Sequence, residues 1–205
     1  MYSILLCVLI GLVHAAIITS PTIHPGIKIS GASEVPIEWD VQAFPDGPTL
    51  TLVGTVQEVH AQLLKINPNY TSDFHLDNLE SRNPDDAAEF SASSVACDKF
   101  LWGFSSYDTV SKNIDHLRPL QGRPRNKAGP SACGRVSCSY NSAIWWCNFS
   151  NEPKTLDSWT SIVRGAEEIQ RVCKVPGFGS PSVQGGVAGH GDWAVVVGYD
   201  SLLKC

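Results

Sequence analysis

Charge is scarce in this sequence, Cys-x-x-Cys spacings are missing, and no apolar run is long enough to cross a bilayer. Charged residues make up 17% of the 205 residues and apolar ones 43%, a balance that excludes disorder of the whole chain. The longest apolar run, Ile4 to Val13, is ten residues, against the roughly 20 that a spanning helix needs, so no transmembrane segment is expected. Without Cys-x-x-Cys pairs, zinc-binding and thioredoxin-type redox sites lose their usual signature, and neither metal nor cofactor is expected. A net charge of -5 argues against a general nucleic-acid binder. No two basic residues are adjacent, which removes the usual processing site for a propeptide.

What is present points outward from the cell. Met1 to Ala15 reads as a secretory signal: a short apolar core, then Val13-His14-Ala15, with residues at -3 and -1 that suit signal peptidase, though no Lys or Arg precedes the core. Cleavage after Ala15 or Ala16 removes Cys7 and leaves six cysteines, Cys97, Cys133, Cys138, Cys147, Cys173 and Cys205. In an exported chain an even set implies three disulfides, with about 15 connectivities open to six cysteines. Two sequons, at Asn69 and Asn148, are candidate glycan sites; Cys147 beside Asn148 argues for constraint there. An extracellular monomer is expected.

The chain divides at about residue 97. Residues 16–96 hold three bases against eleven acids, and residues 97–205 twelve bases against nine acids. The first part is therefore acidic and cysteine-free, the second basic and cysteine-rich. In 16–66 a hairpin is expected around Pro45-Asp46-Gly47-Pro48. A helix over 56–66 follows, opened by a capping box of Thr55 and Glu58 and stopped at Asn67-Pro68. Apolar periodicity then vanishes, and 67–96 reads as an acidic linker. In 97–205 a strand over Phe100–Phe104 is expected to lead into a helix ending at Pro119. A basic loop over 120–132 follows, then a hairpin around Asn141-Ser142. A strong amphipathic helix begins at Asp157 or Ser158, and Val183–Ala188 and Trp193–Tyr199 form a last hairpin. The order β-α-β-β-α-β-β predicts an α+β fold, two helices packed on one face of a mainly antiparallel sheet of split βαβ type, held by disulfides.

The run Gly134 to Asn148, with the Trp159–Cys173 helix and the Trp193–Tyr199 strand, resembles small secreted cysteine-rich proteins of filamentous ascomycete fungi, many of them candidate effectors. The element order is also similar to the α/β sandwich of the secreted killer toxins of smut fungi. The resemblance implies a secreted fungal protein and a fold. It implies no catalytic residue.

Candidate contacts come from the residues. Arg118, Arg123, Arg125, Lys127 and Arg135 have no acid between them. They make a surface that could take an anionic polysaccharide, lipid headgroups or RNA, unless the acidic 67–96 stretch lies across it. Of Trp145-Trp146, one ring must face the opposite side of the strand from the other. With Trp146 inward, Trp145 is expected outward, a platform for a sugar ring or an apolar partner. Asn141 and His190 head neighbouring turns. Binding through Trp145, Arg123, Arg125, Lys127, Asn141 and His190, without enzymatic activity, is the expectation. The target is a host protein, a cell-wall glycan or a membrane surface, and the role effector- or toxin-like. A ribonuclease-like hydrolase is the competing reading. It requires His116 or His190 to meet a carboxylate and an arginine in one cleft, with His60 a further candidate. A carbohydrate-binding protein requires an exposed Trp145 face.

Overall fold

In the computed structural model, residues 32–76, 94–177, 181–199 and Cys205 are described. Residues 1–31, which include the expected secretory signal, 77–93, 178–180 and 200–204 lie outside them. The first part opens with β1 (Ser33–Glu34) and the antiparallel hairpin of β2 (Glu38–Gln42) and β3 (Thr49–Val53). Alternation on β2 buries Trp39 and Val41. Helix α1 (Val56–Ile66) begins at the expected capping box: the Glu58 amide donates to Thr55 Oγ1 at 3.4 Å, and the Thr55 amide donates to Glu58 Oε2 at 2.7 Å. Val56, Val59 and Leu63 are its buried face. Beyond Pro68 the chain forms one more turn, α2 (Tyr70–Asp73). The Asn67 side chain holds it, donating to Ala43 O at 2.8 Å and Asp73 Oδ2 at 2.9 Å, and Tyr70 is fully buried.

The second part runs β4 (Ser94–Cys97), α3 (Lys99–Trp102), β5 (Phe104–Ser106), α4 (Tyr107–Leu117), β6 (Arg123–Asn126), β7 (Ala132–Ser139) and β8 (Ser142–Asn148). It continues through β9 (Lys154–Thr155), α5 (Thr160–Val172), β10 (Lys174–Val175), β11 (Ser182–Gln184), β12 (Gly186–His190) and β13 (Trp193–Tyr199). Three sequence expectations change. Phe100 to Trp102 is a helical turn rather than a strand, because Asp98 Oδ1 accepts from the amides of Phe100 and Leu101 at 2.8 and 3.1 Å. The basic loop contains β6, which pairs with β2 and β9. The β7–β8 turn centres on Tyr140 and Asn141, both left-handed at φ 47° and 62°.

The described residues form an α+β fold with three sheets and five helices. The largest has the order β1-β7-β8-β13-β12-β4, antiparallel except for the β1–β7 edge. The others are β10-β11-β5 and β3-β2-β6-β9. Disulfides join Cys97 to Cys173, Cys133 to Cys147 and Cys138 to Cys205. The second of these links directly opposed residues of β7 and β8, with Cα atoms 4.0 Å apart.

Side-chain alternation on β8 and β13 divides the interior into two cores. Ile144, Trp146, Val195 and Val197 pack with Val110, Ile114 and Leu117 of α4, Ile162, Ala166 and Ile169 of α5, and Trp39, Val59 and Leu63 from the first part. Trp145, Cys147 and Val196 pack with Trp102 of α3 and Cys133. Trp39 stacks on Trp159 at 3.6 Å between centroids, and its indole N–H donates to Gly54 O at 2.8 Å. The acidic and basic parts of the chain thus share one hydrophobic cluster.

Candidate functional site

The expected contact residues are distributed as follows. Trp145 is on the opposite face from Trp146, but it is fully buried, because α3 lays Trp102 over that face of the sheet. This corrects the expectation of an exposed indole. All six tryptophans of the chain are buried, so stacking of a sugar on an exposed indole has no residue to use. The arginines of the basic stretch are already paired. Arg123 meets Asp157 at 2.8 Å, Arg125 meets Glu38 at 2.9 Å and Asp40 at 3.5 Å, and Arg135 meets Glu34 at 3.5 Å. The acidic part does neutralise basic residues, but through strands β1 and β2 rather than through described residues of 67–96. Lys127 is exposed, Asn141 is half-buried in its turn, and half-buried His190 lies 5.1 Å from the Trp193 ring. Asn148 is buried, its amide donating to Lys127 O at 2.9 Å and Glu152 O at 2.8 Å. That nitrogen would carry a glycan, so Asn148 is corrected to a structural residue. Asn69 is exposed.

His116 sits in a network of neutral polar groups. His116 Nδ1 lies 3.1 Å from Gln57 Nε2, which also reaches Ser137 Oγ at 3.2 Å. Ser137 in turn donates to Asn113 Oδ1 at 3.0 Å, and Asn113 donates to Ser142 O at 3.0 Å. This polar thread ties α1 to α4 and the β7–β8 hairpin. Partial burial is the main force on His116 and lowers its pKa; Asp115 opposes it, while His60 and Lys112 add to it. A neutral Nδ1 can accept from the Gln57 amide, so the network and the titration favour the same form. Asp192 is engaged by Lys154 at 2.9 Å, and that hydrogen bond holds its carboxyl below the usual range. Among the described residues no cluster of three or more His, Cys, Asp or Glu side chains is arranged to hold a metal.

A different region gathers unusual side chains. The registers Ser139↔Ser142, Ser142↔Tyr199, Gly186↔Val197 and Cys97↔Gly186 place the end of β7, the start of β8, the end of β13, the start of β12 and the end of β4 at one end of the main sheet. Helix α3 and strand β5 follow β4 there, α4 begins there, and the Cys97–Cys173 bridge brings the end of α5 to it. Of the ten exposed large apolar side chains among the described residues, six belong to this end: Phe100, Leu101, Phe104, Tyr140, Val172 and Tyr199. Phe100 is 82% exposed and Tyr140 73%. A cavity of about 480 Å³ opens beside Phe100 and Phe104, with Val175, Pro176 and Lys99 in its wall.

Three lysines lie against aromatic rings here, two of them exposed rings of this end and the third half-buried Tyr107. Lys99 lies 5.1 Å from the Phe100 centroid, Lys112 5.8 Å from Tyr140 and Lys174 5.1 Å from Tyr107. None of the three has a carboxylate within ion-pair distance among the described residues, whereas Arg118, Arg123, Arg125, Arg135 and Arg171 all do. Among the described residues Asp98 and Asp108 belong to the same end, each at the start of a helix, where negative charge is favoured.

Sequence reasoning missed this face because Phe100-Leu101-Trp102-Gly103-Phe104 has the composition of a buried strand. Only Trp102 of the five is fully turned inward by the helical turn. The Asp98 cap was the available signal. No family model, curated protein or solved structure matches the chain.

Proposed function

We propose that this chain is an extracellular binding protein, effector- or toxin-like toward a host or competing microbe, that engages its target through the aromatic, lysine-flanked end of the main sheet. The observation that carries this reading is the concentration of six exposed apolar side chains on a scaffold cross-linked by three disulfides. Contiguous exposed apolar surface on a soluble protein usually marks a contact site. Disulfides of this kind persist in oxidising compartments, which supports secretion. The resemblance of the 134–199 region to secreted cysteine-rich fungal proteins supports the same compartment. It also suggests a killer-toxin-like relation of α4 and α5 to the antiparallel strands.

The test compares two surface variants of the full chain for retention on intact plant and fungal cells. Phe100→Ser with Phe104→Ser is expected to abolish retention without changing the melting temperature by more than a few degrees. Arg123→Gln with Lys127→Gln, on the basic stretch that the sequence alone favours, is expected to leave it intact. The reverse pattern would return the contact site to that stretch.

A further inference from the structure

We infer that the surface met by this end of the molecule is an anionic lipid bilayer; this rests on reading that end as the contact face. Its chemistry is that of a side-chain set entering the interface rather than of a protein-binding hot spot. Protein interfaces favour Trp, Tyr and Arg and are depleted of Lys. Here every tryptophan is buried and the five arginines with assigned ion pairs are committed to carboxylates. Among the described residues, the cations left on this end are Lys99, Lys112 and Lys174, which have no carboxylate partner there.

Phe100, Leu101 and Phe104, three of the exposed apolar groups of this end, carry no hydrogen-bonding atom on their side chains, which suits hydrocarbon and does not suit a glycan. Each lysine ammonium lies over an aromatic ring, which sets positive charge directly beside apolar side chains, and a lysine stem is long enough to lift its ammonium to headgroup level. Tyr140 and Tyr199 present amphipathic rings of the kind enriched at membrane–water boundaries. Three cations with no carboxylate partner among the described residues, beside an apolar lip, are complementary to a negatively charged leaflet, and apolar burial plus electrostatic attraction is how peripheral proteins hold a bilayer.

Tyr140 adds an independent indication. It occupies a left-handed position at φ 47° in a two-residue hairpin turn, where Asn or Gly is preferred. It is also 73% exposed, so neither its backbone nor its burial accounts for an aromatic residue there. Insertion into an interface does.

The experiment is vesicle co-sedimentation of the disulfide-bonded full chain, all variants carrying the same amino terminus. The vesicles are phosphatidylcholine alone or phosphatidylcholine with phosphatidylserine, at low and high salt. Wild type is expected to prefer the serine-containing vesicles and to lose that preference at high salt. Phe100→Ser with Phe104→Ser is expected to lower binding at least tenfold. Each of Lys99→Gln, Lys112→Gln and Lys174→Gln should lower binding to anionic vesicles by about fivefold, with no effect from Lys127→Gln. Near-ultraviolet circular dichroism of every variant separates a lost contact from a lost fold. Absence of preference for anionic vesicles, or binding untouched by these changes, overturns the lipid assignment. If vesicles are not bound but the phenylalanine variant still loses retention on cells, the contact face stands and its occupant is a protein or glycan. If the phenylalanine variant is retained on cells like wild type, the contact face itself is wrong.

Discussion

His116 shows how a single side chain links fold and pH. Its Nδ1 faces Gln57, and partial burial lowers its pKa. The unfolded chain, with an ordinary value of about 6.5, therefore takes up a proton first as the pH falls. The stability tied to this residue is fully present above about pH 6.5 and is lost as the pH drops toward the lower folded value. Urea midpoints measured between neutral and mildly acidic pH should fall for wild type and fall less for His116→Gln. An equal decline in both would remove His116 as the source. Tyr140 is the opposite case, a residue that folding does not need. Tyr140→Asn satisfies the left-handed turn better, so the melting temperature should hold or rise while retention on cells weakens. A clear drop in melting temperature would give Tyr140 a structural role instead.

Elements with a local sequence cause were legible. Thr55 and Glu58 announce α1 because the capping box is made by residues three apart, and Val56, Val59 and Leu63 then share one face. The long helix α5 follows from its apolar spacing, although it begins at Thr160, later than Asp157. What failed depends on distant chain. Strand β6 looks like loop because Arg123-Pro124-Arg125 has no strand character of its own; it becomes a strand by pairing between β2 and β9, with Arg125 opposite Glu38. Trp145 looks exposed because alternation gives the side of the sheet but not what covers that side. The cover is Trp102, from a segment that itself reads as strand. The disulfide pairing was likewise closed to composition and set by register: Cys133 and Cys147 are opposed across one hairpin. Sequence separations of 76 for Cys97–Cys173 and 14 for Cys133–Cys147 give loop-closure contributions of about 4.5 and about 3 kcal/mol. Replacing the first pair with serine should therefore lower the denaturant midpoint more than replacing the second. The reverse order would mean that packing around the hairpin, not chain closure, dominates.

At the scale of the whole molecule, the charge asymmetry seen in the sequence becomes an internal seam. Glu34, Glu38 and Asp40 of the acidic part meet Arg135 and Arg125 of the basic part. These pairs are partly exposed, so each stabilises by no more than about 1 kcal/mol. The stacked Trp39 and Trp159 and the core around them hold the two parts together more strongly. Five of the described arginines meet carboxylates, whereas Lys99, Lys112 and Lys174, at the aromatic end of the main sheet, have none within ion-pair distance among the described residues.

Amine-reactive labelling with mass spectrometry, performed on the chain while it is retained on cells, tests that assignment most directly. Lys65, Lys99, Lys112, Lys127 and Lys174 are all exposed in the free molecule. Lys99, Lys112 and Lys174 should become protected on binding while Lys65 and Lys127 continue to react. Protection of Lys127 with continued reaction of the other three would contradict the account.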